Sequence, residues 1–295
     1  MKTVGVIVNA DKPRAESAVA AVFASARRLG LHLLVDPCGL PVELSETVTP
    51  LPAESFREEG AEAVIVLGGD GSMLDAVRRS KPPYLPMIGL NIGSLGYLTS
   101  VEEPNFVRAM EMLREGAFQV SRRSMVAAEI ISGSGTTLAL PDALNEVVVS
   151  RGASGTSVEL DLQLNGKTVS RFLCDGMIVA TPTGSTAYSL SAGGPILLPD
   201  VEALVVNLIC PHTLTSRPLV VPHDALISIR VASAERDLNV SADGRDNVPV
   251  QVGDVVRVVR SARSLPVIMM EGVSPCDVMR RKLGWGGRQH ARQRR

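Results

Sequence analysis

The hydrophobic rhythm of this chain changes once, near residue 121, and that change limits the fold more than any other feature. Before it, short apolar runs alternate with amphipathic stretches. Residues 3–8, 31–35, 63–67 and 87–90 have the length and β-branched content of strands, while 14–29, 73–79 and 104–115 have helical spacing, with Pro104 early in a first turn. Parallel neighbours need long crossover connections, which helices supply, so this alternation predicts an open, mostly parallel sheet. After residue 121, strand-like segments follow one another across Gly, Asn and Asp turns, at 125–131, 146–150, 157–164, 176–180, 205–209, 226–231, 238–242 and 255–260. Asn165-Gly166 between alternating segments is a strong hairpin signal. The expected fold is an α/β N-terminal domain with a mostly parallel sheet, followed by a β-rich, sandwich-like C-terminal domain.

Composition narrows the function classes. With 295 residues, 45% hydrophobic and 21% charged, the chain can bury a large core. Thirty basic residues face 31 acidic ones, which argues against a protein built to coat nucleic acid, and 3% aromatics leave few rings to stack on bases. The charge is uneven. Seven Arg or Lys residues and no acid lie in 280–295, and removing those seven from the 30 leaves 23 against 31 in the first 279 residues. A solvated, frayed terminus is the ordinary reading of such a tail. No apolar run reaches the roughly 18 residues of a spanning helix. The first residues read as a strand and not as a signal peptide. Cys38, Cys174, Cys210 and Cys276 lie far apart without CxxC pairing, so free thiols in the cytoplasm are expected and no zinc site.

Four blocks carry chemistry. The first is Leu67-Gly68-Gly69-Asp70-Gly71-Ser72, between a buried strand and a helix. Amides freed by glycines at a helix N-terminus suit a phosphate, yet Asp70 would repel one unless it binds Mg²⁺ or takes a proton from an attacking hydroxyl. The alternative is a tight turn in which Asp70 or Ser72 caps the helix. The second block, Asn91-Ile92-Gly93-Ser94-Leu95-Gly96-Tyr97-Leu98, also follows a strand, and ligands in open α/β sheets bind beyond the strands' carboxyl ends. It could share a crevice with the first, or be a plain Gly-rich turn. The third, Asn145-Glu146, offers an amide and a carboxylate suited to a ribose diol, or is a polar lead-in to a strand.

The fourth block runs over residues 175–195, from Asp175 through Thr181, Thr183, Ser185, Thr186, Ala187, Tyr188, Ser189, Leu190 and Ser191 to Gly193-Gly194-Pro195. Its hydroxyls and small residues supply neutral hydrogen bonds and close approach, a binding chemistry more than a connector's. Asp243-Gly244-Arg245 is either a ligand loop or a simple turn, and by itself leans to the turn; His212 reads as a packed or capping residue. His32 and His223 have no partners at metal-site spacing, and nothing suggests a nucleophilic triad.

In this order the four blocks resemble the NAD kinase family, from about Ala63 to Trp285, down to the closing Lys282-Leu283-Gly284-Trp285. The Gly68-Gly69-Asp70-Gly71 loop alone is shared with the wider diacylglycerol kinase and 6-phosphofructokinase-like group. The resemblance implies transfer of a phosphoryl group from ATP or polyphosphate to the 2′-hydroxyl of the adenosine ribose of NAD, with a divalent ion such as Mg²⁺. It implies Asp70 as general base and Gly68, Gly69, Gly71, Ser72 and Asn91 at the substrates. Asn145, Glu146 and Asp175 would hold the dinucleotide, with Thr183, Thr186, Ala187, Tyr188, Ser189, Leu190, Ser191 and Arg245. It further implies a donor-binding domain of residues 1–121 joined by 266–295, a dinucleotide-binding domain of residues 122–265, and a homo-oligomer, dimer or tetramer. No nucleic acid or membrane partner is expected.

Departures from the family pattern are Ser72 for a common Thr, Tyr97 for Phe, Asp75 for a frequent Arg and Arg245 for a frequent Gln. Leu173 stands where some members have a polar or basic group. Two alternatives remain at this stage: a lipid or sugar kinase using the same glycine loop, and a non-catalytic NAD-binding regulator. The arginines of residues 288–295 lie beyond the match and are expected to be dispensable for turnover.

Overall fold

The structure is a computed structural model that describes residues 1–38, 48–93, 95–99, 101–152, 157–234, 238–272 and 274–285. Ser94 and the arginines of residues 288–295 lie outside the described residues. The chain divides into two units, Met1–Arg122 with Leu265–Arg295, and Arg123–Ser264. No helix among the described residues is long and apolar enough to cross a membrane.

The first unit opens with β1 (Thr3–Val8), α1 (Ala15–Leu29), β2 (His32–Val35) and β3 (Val48–Pro50). It continues through β4 (Ala63–Gly68), α2 (Asp70–Arg79), β5 (Met87–Asn91), β6 (Val101–Glu102) and α3 (Phe106–Glu115). Strand order is β3-β2-β1-β4-β5, all parallel, with β6 also parallel to β5. Val4, Val6 and Val8 on one face of β1 join a core with Ala18, Val19, Val22 and Ala26 of α1 and Met110 and Leu113 of α3. On the opposite face Gly5 makes room for the Phe56 ring, which a Cβ there would approach to 2.7 Å at Cε2. Covering both faces is why these strands read as unbroken apolar runs. Each fully buried Val or Leu contributes about 1.5–3 kcal/mol. Gly30, at φ 64°, ends α1 in the left-handed conformation that glycine adopts without strain.

The second unit begins in β7 (Gln119–Ile131) and holds β8 (Thr137–Ala139), β9 (Glu146–Arg151), β10 (Val158–Leu164), β11 (Lys167–Cys174) and β12 (Gly176–Ala180). After a short helix α4 (Tyr188–Ser191) come β13 (Ala203–Ile209), β14 (Leu219–Pro222), β15 (Ile227–Ser233), β16 (Leu238–Ala242) and β17 (Arg245–Val250). The long β18 (Val255–Met269) leads to α5 (Pro275–Leu283), and Val267 of β18 pairs with Met87 of β5 within the first unit.

One antiparallel layer runs β11-β10-β15-β18, the other β14-β13-β12-β9-β16-β17. Leu160, Leu162, Ile229 and Val256 of the first layer share one core with Val147, Val149, Met177 and Val240 of the second. The outer face of β9 and β12 is buried as well, Val148, Ile178 and Ala180 packing with Ala192 and Leu197 of the segment after β12. The sandwich is therefore covered on its outer face by the hydroxyl-rich stretch.

Six strands escape the sequence pattern: β3 and β6, which have only three and two residues, and β8, β11, β14 and β17. The residues of the last four are largely exposed, so they lack the alternation that betrays a half-buried strand. The Asn165-Gly166 hairpin forms between β10 and β11, with φ of 50° and 75°. The basic stretch is not frayed at residues 280–282, which belong to α5, capped by Ser274 with Asp277.

Candidate active site

In the first unit, β4 ends at Gly68 and α2 starts at once at Asp70, three residues earlier than the periodicity predicts. Neither Asp70 nor Ser72 is the N-cap. Gly69 takes that position, and Ser72, one turn in, accepts from the Gly69 amide at 3.3 Å and from Asn9 Nδ2 at 3.0 Å. A Cβ on Gly68 would collide with the Ser72 side chain, so that glycine is required by the protein itself. A Cβ on Gly69 or Gly71 would meet nothing within 4 Å, which leaves the backbone of the helix start open to an approaching ligand.

The second loop is tied to the first. Gly68 and Asn91 are register partners in the parallel pair β4 and β5, so both loops leave the same edge of the sheet. Asp70 accepts backbone N–H bonds from Tyr97 at 2.9 Å, Leu98 at 2.9 Å and Thr99 at 3.3 Å, and the Thr99 hydroxyl lies at 3.4 Å. Oδ1 takes three of these four and Oδ2 one, which leaves a lone pair on Oδ2 for a further donor. Gly96 must be glycine, since a Cβ there would run into the Asp70 carboxylate, 2.7 Å from its Cγ. Asn91, buried, donates to the Thr99 hydroxyl at 3.1 Å and accepts from the Gly93 amide at 2.8 Å. The Lys282 ammonium stands 5.5 Å from the centroid of the Tyr97 ring. Burial, with the Asp70 charge second, raises the Tyr97 phenol above its ordinary value.

A second carboxylate clamp organises the other unit. Asp243, at φ 50° in the turn between β16 and β17, accepts from the amides of Leu144 at 2.9 Å, Asn145 at 2.8 Å and Glu146 at 3.1 Å. The turn that Asp243-Gly244 leans to forms, and its carboxylate fixes the Asn145-Glu146 backbone. Glu146 is buried, and desolvation, with the Asp243 charge second, pushes its carboxyl up to about 8, against a bond from the Tyr188 amide that lowers it. A group at about 8 is mostly protonated at pH 7.

The hydroxyl-rich loop folds back on itself. The Thr181 hydroxyl donates to Leu144 O at 2.6 Å, Ser185 to Pro182 O at 2.6 Å and Thr186 to Thr183 O at 2.9 Å. These groups hold the loop's shape as donors, and each hydroxyl oxygen can still accept. Gly184 passes so close to the Asn145 carbonyl that any side chain would collide. In and beside this loop, Glu146 Oε2 and Ser189 Oγ are buried without a hydrogen-bond partner, as is the Tyr97 hydroxyl in the other unit. Such groups cost about 1–3 kcal/mol each when left unmet. Thr183 is buried, Thr186, Ala187 and Leu190 partly so, and Tyr188, Ser191 and Arg245 are exposed.

Asp175, just before β12, forms a two-pronged ion pair with Arg151, at 3.0 Å and 3.1 Å. The sequence offered no sign of Arg151, because the partnership comes from the pairing of β9 with β12. The family departures find places too. Asp75 pairs with Arg79 one turn on, at 3.5 Å, and Leu173 lies 40% exposed on β11, the end strand of its layer.

Each unit thus presents a glycine-flanked or small-residue backbone and a carboxylate. One carboxylate keeps a spare acceptor site, and the other is buried and mostly neutral. Such groups can accept a proton from an alcohol and bind hydroxyls of a sugar.

Comparison with known proteins agrees with this inventory. Residues 4–118 match the profile of the ATP-NAD kinase N-terminal domain and residues 144–270 that of the ATP-NAD kinase C-terminal domain. An NAD kinase of Symbiobacterium thermophilum is 37% identical over 288 residues, covering 96% of this chain and 99% of the relative. One of Geotalea daltonii is 35% identical over 288 residues, covering 98% of this chain and 100% of the relative. Among solved structures, an NAD kinase from Archaeoglobus fulgidus in complex with ATP superposes with a TM-score of 0.75 at 25% identity, over 97% of this chain and 100% of that one. Yeast NADH kinase complexed with NADH has the same fold, with a TM-score of 0.87 at 24% identity over 97% and 89%. With both domain profiles matched in order and identity sustained over nearly the whole length, the chain belongs to the NAD kinase family.

Proposed function

We propose that this enzyme transfers the terminal phosphoryl group of ATP to the 2′-hydroxyl of the adenosine ribose of NAD, giving NADP. The observation that carries the reading is Asp70, a carboxylate fixed by three backbone amides beside an open helix start. In this role Oδ2 of Asp70 takes the proton of the 2′-hydroxyl as that oxygen attacks phosphorus. General-base help of this kind is worth about 10²- to 10⁴-fold in rate. Gly68, Gly69, Gly71 and Ser72 shape the ground on which the phosphates lie. Positioning and charge neutralisation supply most of the remaining acceleration in phosphoryl transfer.

Asn145, Glu146, Asp175 and the loop from Thr183 to Ser191 hold the dinucleotide, with Glu146 Oε2 and Ser189 Oγ as its unmet polar contacts. Arg245 belongs to the same proposal. Mg²⁺ enters with ATP. Among the described residues no group of three or more His, Cys, Asp or Glu could hold a metal, and Mg²⁺ characteristically rides on substrate phosphates with few protein ligands. The ion neutralises phosphate charge when bound. A homo-oligomer, dimer or tetramer, and a cytoplasmic location, suited to four free cysteines, complete the reading.

The test is incubation with NAD, ATP and Mg²⁺ and detection of product with an NADP-specific dehydrogenase. Product formation is expected. Its absence with ATP and polyphosphate alike, with saturable phosphorylation of a lipid or a sugar, would make the chain another kind of kinase. NAD binding without turnover would make it a regulator.

A further inference from the structure

Thr99 lies between β5 and β6, and no part of it reaches solvent. Both branches of its side chain have prepared seats. The methyl group packs against Gly89 of β5, where a Cβ would come within 2.6 Å of it, and the hydroxyl stands 3.4 Å from Asp70 Oδ1 and 3.1 Å from Asn91 Nδ2. The neighbours decide where the hydroxyl hydrogen points. The Gly93 amide donates to Asn91 Oδ1 at 2.8 Å, so the NH₂ of Asn91 faces Thr99, where it donates to the hydroxyl and, at 3.3 Å, to the carbonyl. An NH₂ group only donates, so the Thr99 oxygen accepts from it and the single hydroxyl hydrogen is directed to Asp70.

This direction matters to the carboxylate. Oδ1 accepts from Leu98 at 2.9 Å, and its other lone pair is met only by two long bonds, from the Thr99 amide at 3.3 Å and the Thr99 hydroxyl at 3.4 Å. Without the hydroxyl that lone pair is poorly met, and the carboxylate gains by turning Oδ1 outward to find another donor. Oδ2 then leaves the place from which it takes a proton.

We infer that Thr99, oriented by Asn91, is a positioning residue that fixes the plane of the Asp70 carboxylate and so makes Oδ2 the oxygen that accepts the substrate proton. The inference rests on the kinase reading above and deepens it. Thr99 acts through Asp70 and touches no substrate, so its loss falls on the chemical step and not on binding.

Steady-state kinetics of Thr99→Val, Thr99→Ser and Thr99→Ala in the full chain, with urea unfolding of each, test it. Val keeps the shape and loses the hydroxyl, Ser keeps the hydroxyl and loses the methyl group, and Ala loses both. In Val and Ala kcat should fall about tenfold or more, the scale of one hydrogen bond to a charged group, while KM for NAD and for ATP stays within about twofold. Ser should keep kcat within about threefold of wild type although it gives up a buried methyl group and some stability with it. A merely structural role makes activity follow stability, so Ser would then lose as much turnover as Val. That pattern overturns the inference, as does wild-type kcat in Val, or a KM that rises while kcat holds. Ser and Ala differ only in the hydroxyl, so this pair decides the matter if Val does not fold. NADP formed by wild type with kcat indifferent to the hydroxyl sinks this inference alone, while no NADP from wild type sinks the kinase reading and the inference with it.

Discussion

Replacing Glu146 by Gln should make the protein more stable at high pH and abolish part of its pH dependence. The Glu146 carboxyl is held at about 8 by burial and by Asp243, against an ordinary 4.5. The native state therefore binds a proton more tightly than the unfolded chain between those values. Stability is full below about pH 4.5 and falls as pH rises towards 8, because the unfolded chain releases this proton while the native carboxyl still holds it. At 1.36 kcal/mol for each pH unit across that window, the full penalty is about 3–5 kcal/mol, a large share of a typical 5–15 kcal/mol. Gln keeps the size and an acceptor for the Tyr188 amide while removing the ionisation. The assay is urea unfolding of both proteins at pH 5 and pH 8. Other titrating groups are common to the two, so the difference between the curves isolates Glu146. The wild type should lose several kcal/mol relative to the variant on going to pH 8. Parallel curves would refute a carboxyl that is neutral when buried, and with it the picture of Glu146 as a hydroxyl-binding acid.

Gly96→Ala should lower turnover at least tenfold and cost about 1–3 kcal/mol in unfolding free energy, because the new methyl group strikes the Asp70 carboxylate; steady-state kinetics with denaturation would show it. Asp243→Asn keeps two of its three amide contacts through one carbonyl but sets an NH₂ against the remaining amide, so about 1–3 kcal/mol should be lost. Leu160→Ala, at a fully buried site in the sandwich core, should cost about 2–5 kcal/mol by urea titration.

Fold class was legible because both rhythms reflect burial. β9 and β12 are covered on both faces and read as unbroken apolar runs, while β10 alternates Val158, Leu160 and Leu162 inward with Glu159 and Asp161 more exposed. Edge strands such as β14 and β17 stayed hidden, since exposure removes the pattern. The glycine loop announced itself by composition, but its helix start did not. Gly69 caps without a side chain, so the usual polar signal is missing. Long-range partners are the least readable. Nothing local to Asp243 says that it holds residues 144–146, or local to Arg151 that it meets Asp175, because strand register and not sequence distance brings them together.

The central claim is that Asp70 is the base of an NAD kinase. Turnover of NAD to NADP by Asp70→Asn, measured beside wild type at saturating ATP and Mg²⁺ with NAD affinity read by calorimetry, tests it most directly. The account predicts a loss of turnover of about 10²-fold or more while NAD affinity stays within a few-fold. Unchanged turnover in a folded variant would contradict it.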